Sequence, residues 1–178
     1  VNAEEAQRLE AGVFVPLDRA WQSGDMVTLT LPMAVRLERR YNNALTVHRG
    51  PLVFSLQIGE EFRRLRGEPP RANWEVRPTT PWNVGLALDP AAPSASFSLH
   101  EKPVSPIPFD PNAAPVTLTA QGRRVPKWTL EQNSAGPLPQ SPVAVDTPLE
   151  EITLIPYGSA HLRITEFPET IPDVPPLL

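Results

Sequence analysis

EITLIPYGSAHLRITEFP, running from Glu151 to Pro168, is the stretch whose spacing decides the fold class. Ile152 and Leu154, then Leu162 and Ile164, repeat at a period of two, the spacing that puts alternate side chains on one face of a pleated strand. The pattern predicts two strands folded back through Pro156, Tyr157 and Gly158. The class it indicates is all-β.

Outward from that run the same alternation recurs. Leu52, Phe54, Leu56 and Ile58 mark one strand face, with Val53, Ser55 and Gln57 on the other. Shorter apolar runs at 13–17, 27–31, 35–38, 45–47, 74–76, 84–88, 95–99, 116–120 and 128–130 are each bounded by Pro, Gly, Asp or Asn. The turn residues Ser23, Gly24 and Asp25 suggest a hairpin joining 13–17 to 27–31, with Trp21 just before the turn. Twenty-four prolines against nine glycines argue against long helices, because proline breaks helix interiors and central ladders alike. The expected architecture is an antiparallel, jelly-roll-like β-sandwich, with part of a second, incomplete sandwich at the N-terminus.

The charged, proline-bearing segment from Gly59 to Asn73 reads as a surface excursion. Lys102 to Pro115 holds five prolines, and an extended crossover pinned by Val104, Ile107 and Phe109 competes there with a disordered or PxxP-type reading.

Composition excludes several functions. A net charge of −4 lacks the basic footprint that a phosphate backbone requires, so nucleic acid is not an expected partner. No apolar stretch reaches the roughly 20 residues that span a bilayer, so no membrane partner is expected. Val1 to Glu5 lacks the basic-then-apolar order of a signal peptide, so an exported parent would carry its signal upstream. The compartment stays open. With no cysteine there is neither a disulfide nor a thiolate nucleophile.

Candidate catalytic groups do not assemble in the sequence. Glu60-Glu61 and Glu150-Glu151 are adjacent pairs that an extended chain points to opposite sides, so solvated surface is the expectation for both. His48, His100 and His161 lack zinc-site spacing and read as strand-surface residues. No catalytic residue, metal ligand or cofactor site is predicted. Aromatic residues are the better lead, because a sugar ring stacks on a flat aromatic face while neighbouring polar groups bind its hydroxyls. Trp74, Trp82, Asn83 and Tyr157 are the candidate carbohydrate contacts, with core packing as the alternative; Trp21 and Trp128 read as packing residues.

Several segments in shared order resemble the C-terminal region of the β-L-arabinofuranosidase-type glycoside hydrolases, formerly a domain of unknown function. They include Gly12 to Asp25, Leu31 to Met33, Tyr41 to Asn43, Arg49 to Phe54, Trp74 to Asn83, Asn133 to Pro139 and the closing run to Pro168. The resemblance implies a multidomain enzyme whose catalytic (α/α) barrel is followed by β-sandwiches. Its catalysis is associated with a zinc-bound cysteine and glutamates of that barrel, and this chain has no cysteine to receive the assignment. On that basis residues 1–48 would end a first sandwich, 49–168 form a second and self-sufficient one, and 169–178 a flexible tail. The expected function is a non-catalytic accessory region partnered by the barrel and shaping its substrate cleft. A module binding plant-type carbohydrate, or a protein-interaction domain using open strand edges, are the alternatives.

Overall fold

The computed structural model describes residues 8–173 and divides the chain into two units, Val1–Met33 and Ala34–Leu178. In the first unit the expected turn forms, and the strands on either side of it do not. The Asp25 N–H donates to the Gln22 carbonyl at 3.1 Å, and the Gln22 N–H donates to Asp25 Oδ2 at 3.0 Å. Arg19 pairs with Asp25 at 3.3 Å and lies over the Trp21 ring. Val27, Leu29 and Leu31 stay exposed. Alternation records where a partner strand would sit, and a lone hairpin without one is at best marginal.

The second unit is all-β. Its strands are β1 (Val35–Arg39), β2 (Leu45–Arg49), β3 (Leu52–Leu56), β4 (Glu60–Arg66), β5 (Asn73–Pro78), β6 (Val84–Leu86), β7 (Ser98–Glu101), β8 (Val116–Arg124), β9 (Leu130–Glu131), β10 (Ser134–Ala135), β11 (Val143–Val145), β12 (Leu149–Pro156) and β13 (Thr170–Pro172). Seven of them make one curled antiparallel sheet in the order β1-β2-β3-β12-β8-β6, with β7 sharing the edge of β8. β12 is long enough to serve two neighbours. Leu149 to Leu154 pair with β8, and Leu154 to Pro156 pair with β3.

The curl follows from how β2 and β3 part. They share only the pairs His48↔Val53 and Arg49↔Leu52 before diverging. Into the gap comes the chain after β12: the Leu56 N–H donates to the Ile164 carbonyl at 2.8 Å, and Phe167 exchanges both backbone hydrogen bonds with Leu45 at 2.8 and 2.9 Å. The next residues cross to the far edge of the sheet, where the Leu86 N–H donates to the Pro168 carbonyl at 2.9 Å and Thr170 Oγ1 donates to the Leu86 carbonyl at 3.1 Å. Around this clasp Phe54, Leu86, Leu118, Leu154 and Phe167 are all fully buried. Gly85 permits it, since a Cβ there would stand 2.5 Å from the Pro168 carbonyl oxygen.

Several expectations are corrected here. The return limb of the Glu151–Pro168 run is not a strand paired with β12; Leu162 and Ile164 pack on the core, while the Ile164 carbonyl serves β3 and the Phe167 backbone serves β2. The boundary expected near His48 is instead the β2–β3 hairpin, turned by Gly50 at φ 55° and Pro51, so residues 35–48 belong with the sheet that follows. Residues 169–173 are not a flexible tail: Thr170–Pro172 pairs in parallel with Val143–Val145, and Thr170 is buried. Residues 174–178 of that tail lie outside the described residues. The charged excursion is largely a two-stranded ribbon, β4 with β5.

The 102–115 crossover is held, though not by the residues expected, since Val104, Ile107 and Phe109 are exposed. Proline loses its N–H but keeps its carbonyl, and three such carbonyls are the anchors. Lys102 N–H donates to Pro115, Gln57 Nε2 to Pro111 and Ser159 Oγ to Pro108. Ala114 is buried against Ile155 and Ala160.

Removing the clasp side chain tests its weight. Phe167→Ala is expected to cost about 3–5 kcal/mol by lost burial and cavity formation, and Gly85→Ala about 1–3 kcal/mol by overpacking, both read from urea unfolding midpoints. An unchanged midpoint in Phe167→Ala would mean that the clasp does not hold the sheet.

Candidate functional site

The sequence-predicted contacts do not converge. Trp82 is half-buried, with its ring edge-on to Trp128 at 5.2 Å between centroids. Asn83 Nδ2 donates to the carbonyls of Val125, at 3.1 Å, and Trp128, at 3.0 Å. Both residues therefore serve the packing alternative: Trp128 is buried and donates from Nε1 to the Gly136 carbonyl at 2.9 Å. Trp74 is exposed on the β4–β5 ribbon, opposite Arg64. Tyr157 opens the turn after β12, exposed, with the Arg163 guanidinium 4.4 Å from its ring centre. Trp74 and Tyr157 remain available at the surface, on different elements.

What the fold does assemble is a polar cleft of about 500 Å³ between the end of β3, the start of β4 and β12. Its lining includes Glu60, expected at solvated surface, and His161, expected on a strand surface. The Glu60 side chain is only 9% exposed; Oε1 accepts the Leu162 N–H at 3.0 Å and Oε2 lies 2.7 Å from His161 Nδ1. With the carboxylate oxygen accepting, Nδ1 is the donor of this pair and Nε2 is the ring nitrogen left outside it. Phe62 meets the imidazole edge-on, with centroids 5.6 Å apart, which fixes the ring plane. Both residues of the pair line the cleft.

Gln57, Asp110, Asn112, Glu150, Glu151 and Thr153 supply further polar lining. Glu150 is engaged by Arg124 Nε at 3.3 Å. Glu60 and His161 are 101 residues apart, and only the clasp after β12 brings them together. No local signal could have paired them.

A second polar cluster lies on β1 and β2. Glu38 accepts from Arg40 Nη1 at 2.9 Å and from Arg36 Nη1 at 3.4 Å, with His48 Nε2 at 3.5 Å. The Arg40 hydrogen bond, foremost, holds the Glu38 carboxyl below the usual carboxylate value. The Arg36, Arg40 and Glu38 side chains hold their charges at the solvent-exposed surface. Among the described residues no group of three His, Cys, Asp or Glu gathers as a metal site. Comparison with protein-family models, with curated proteins and with solved structures returned no match.

Two expectations follow. Asn83→Ala should cost about 1–3 kcal/mol, because it removes the side-chain donor of the part-buried Trp128 carbonyl and leaves the Val125 carbonyl only the Trp128 N–H, whereas Trp74→Ala on the open ribbon should change stability by about 0.5 kcal/mol or less. Equal losses in denaturant unfolding would contradict the packing assignment. For Glu38, the lowered value means that its contribution to stability is present above the unfolded-state value and lost as pH falls through the folded one. Carbon NMR of the side chain should show its titration moving upward in Arg40→Ala.

Proposed function

We propose that this chain is a non-catalytic accessory β-sandwich region of a glycoside hydrolase resembling the β-L-arabinofuranosidases, and that it supports a catalytic (α/α) barrel. The observation that carries the reading is the apolar surface left open along the first unit. Phe14 is fully exposed, and Val13, Trp21, Met26, Leu29 and Leu31 are largely so. Side chains of this size each gain about 1.5–3 kcal/mol on full burial, and exposed apolar surface rimmed by polar residues marks an interaction site. A neighbouring domain is the partner that fits an alternating run written for pairing and packing. The resemblance names that domain as the barrel.

The absence of catalytic duty in this chain rests on residue types. The family's chemistry is associated with a zinc-bound cysteine, and there is no cysteine in the sequence. Trp82 and Asn83 are committed to packing, so they support the accessory role from within the fold.

The test has two arms. The purified chain alone should release no nitrophenol from nitrophenyl arabinofuranoside, and it should associate with a separately produced catalytic barrel of this family. The double variant Phe14→Asp, Leu29→Asp should weaken that association at least about tenfold, as expected when anchor side chains are lost. Turnover by the isolated chain, or association indifferent to the double variant, would overturn the proposal.

A further inference from the structure

The polar cleft goes beyond the accessory reading, since its argument needs neither a barrel nor a parent enzyme. We propose that it binds a small, neutral, polyhydroxylated ligand of about monosaccharide size, held through the ligand's hydroxyl donors. Its volume, about 500 Å³, falls in the range of small-molecule pockets. Its walls come from separate elements: Leu56 to Glu60 with Phe62, Thr80 and Pro81, Asp110 to Asn112, Glu150 to Thr153, and His161.

The lining selects for donors. Four acidic residues, Glu60, Asp110, Glu150 and Glu151, line it, and no Lys or Arg does. Gln57, which could donate, already spends an Nε2 hydrogen on the Pro111 carbonyl at 3.1 Å. An acceptor-rich cleft is satisfied by a ligand that brings O–H or N–H groups. Hydroxyls and ammonium groups both qualify, and charge decides between them. The Glu60 carboxylate is already bonded to His161 and Leu162, and that of Glu150 is paired with Arg124. The negative charge open to a cation is therefore smaller than the residue count suggests, and a bound cation would still lose its hydration.

A polyol meets both halves of the surface. Vicinal hydroxyls donate to one carboxylate as a pair, and the C–H faces between them rest on Phe62, Pro81 and Pro111. His161 is the positioning group at one end. With Nδ1 tied to Glu60 and the ring plane set by Phe62, its Nε2 accepts from a ligand hydroxyl in a fixed direction.

The experiment is an NMR titration of the full chain with D-xylose and myo-inositol as neutral probes and spermidine as the cation. The expected result is saturable shifts at His161, Phe62 and Thr153 with a neutral probe, in the millimolar range of weak sugar binding. Glu151 is exposed, so Glu151→Gln leaves the fold intact; it should weaken binding about tenfold by replacing a charge-assisted hydrogen bond with a neutral one. Glu60→Gln should weaken it at least as much, while Glu75→Gln, on β5 outside the cleft, should leave it unchanged. Binding of spermidine without binding of either polyol would overturn the proposal, as would the absence of saturable shifts with all three probes. Failure here would leave the association with a barrel untouched, because that rests on the first unit.

Discussion

The backbone exchange between Phe167 and Leu45 is the contact on which the rest of the second unit depends. β2 and β3 separate after a two-residue hairpin, and their inner backbone groups would face an empty gap if the chain after β12 did not return to fill it. Buried N–H and C=O groups must find partners, so the return limb substitutes for a strand without being one. By continuing to Leu86 it ties one side of the sheet to the other. Arg49 on β2 and Glu101 on β7, distant in the strand order, meet at 2.9 Å across the same curl. Closing a sheet on itself in this way also reduces the edge left open for pairing with another chain.

The clasp sets the cleft as a consequence of sheet closure. Ile164 and Phe167 are anchored to β3 and β2, and β12 ends at Pro156, so the turn Tyr157–Ser159 and the residues after it have little freedom in where they lie. His161 is delivered to the start of β4, where Glu60 sits. The Leu162 N–H, which would otherwise lack a partner in this irregular limb, bonds the other oxygen of the same carboxylate. One buried side chain thus satisfies a backbone donor and orients an imidazole. Loss of the clasp would therefore disorder the cleft before it touched the strands of the sheet that β8 and β12 hold in register.

The fold class was legible because alternation is a local property: β3, β8 and β12 lie where Leu52 to Leu56, Val116 to Ala120 and Ile152 to Leu154 place them. Pairing was not, because it is decided by which backbone groups remain unsatisfied once neighbours are in place. The run from Glu151 to Pro168 has the spacing of a hairpin, yet its second limb finds better partners in Leu56 and Leu45 than in β12. The same reason explains the first unit, where Val27, Leu29 and Leu31 have strand spacing and no ladder. The candidate site was less legible still. Aromatic residues draw attention in a sequence, but Trp82 and Trp128 are used against each other, while the Glu60–His161 pair is built from residues whose local contexts look like ordinary surface.

The two open features of this chain differ in kind, and the difference bears on how they can coexist. The first unit exposes apolar side chains, a surface whose free energy is lowered by large, dry contact. The cleft of the second unit offers carboxylates already partly engaged by His161 and Arg124, a surface suited to a small hydrated ligand that exchanges water hydroxyls for its own. A protein partner that filled the cleft would have to desolvate Glu151 and Asp110 without a cation to meet them, which is costly. A sugar-sized ligand would gain little from Phe14 or Leu31, which offer no enclosing walls. The two proposed contacts would therefore divide between the units by chemistry, dry apolar burial in the first and exchange of hydroxyls in the second.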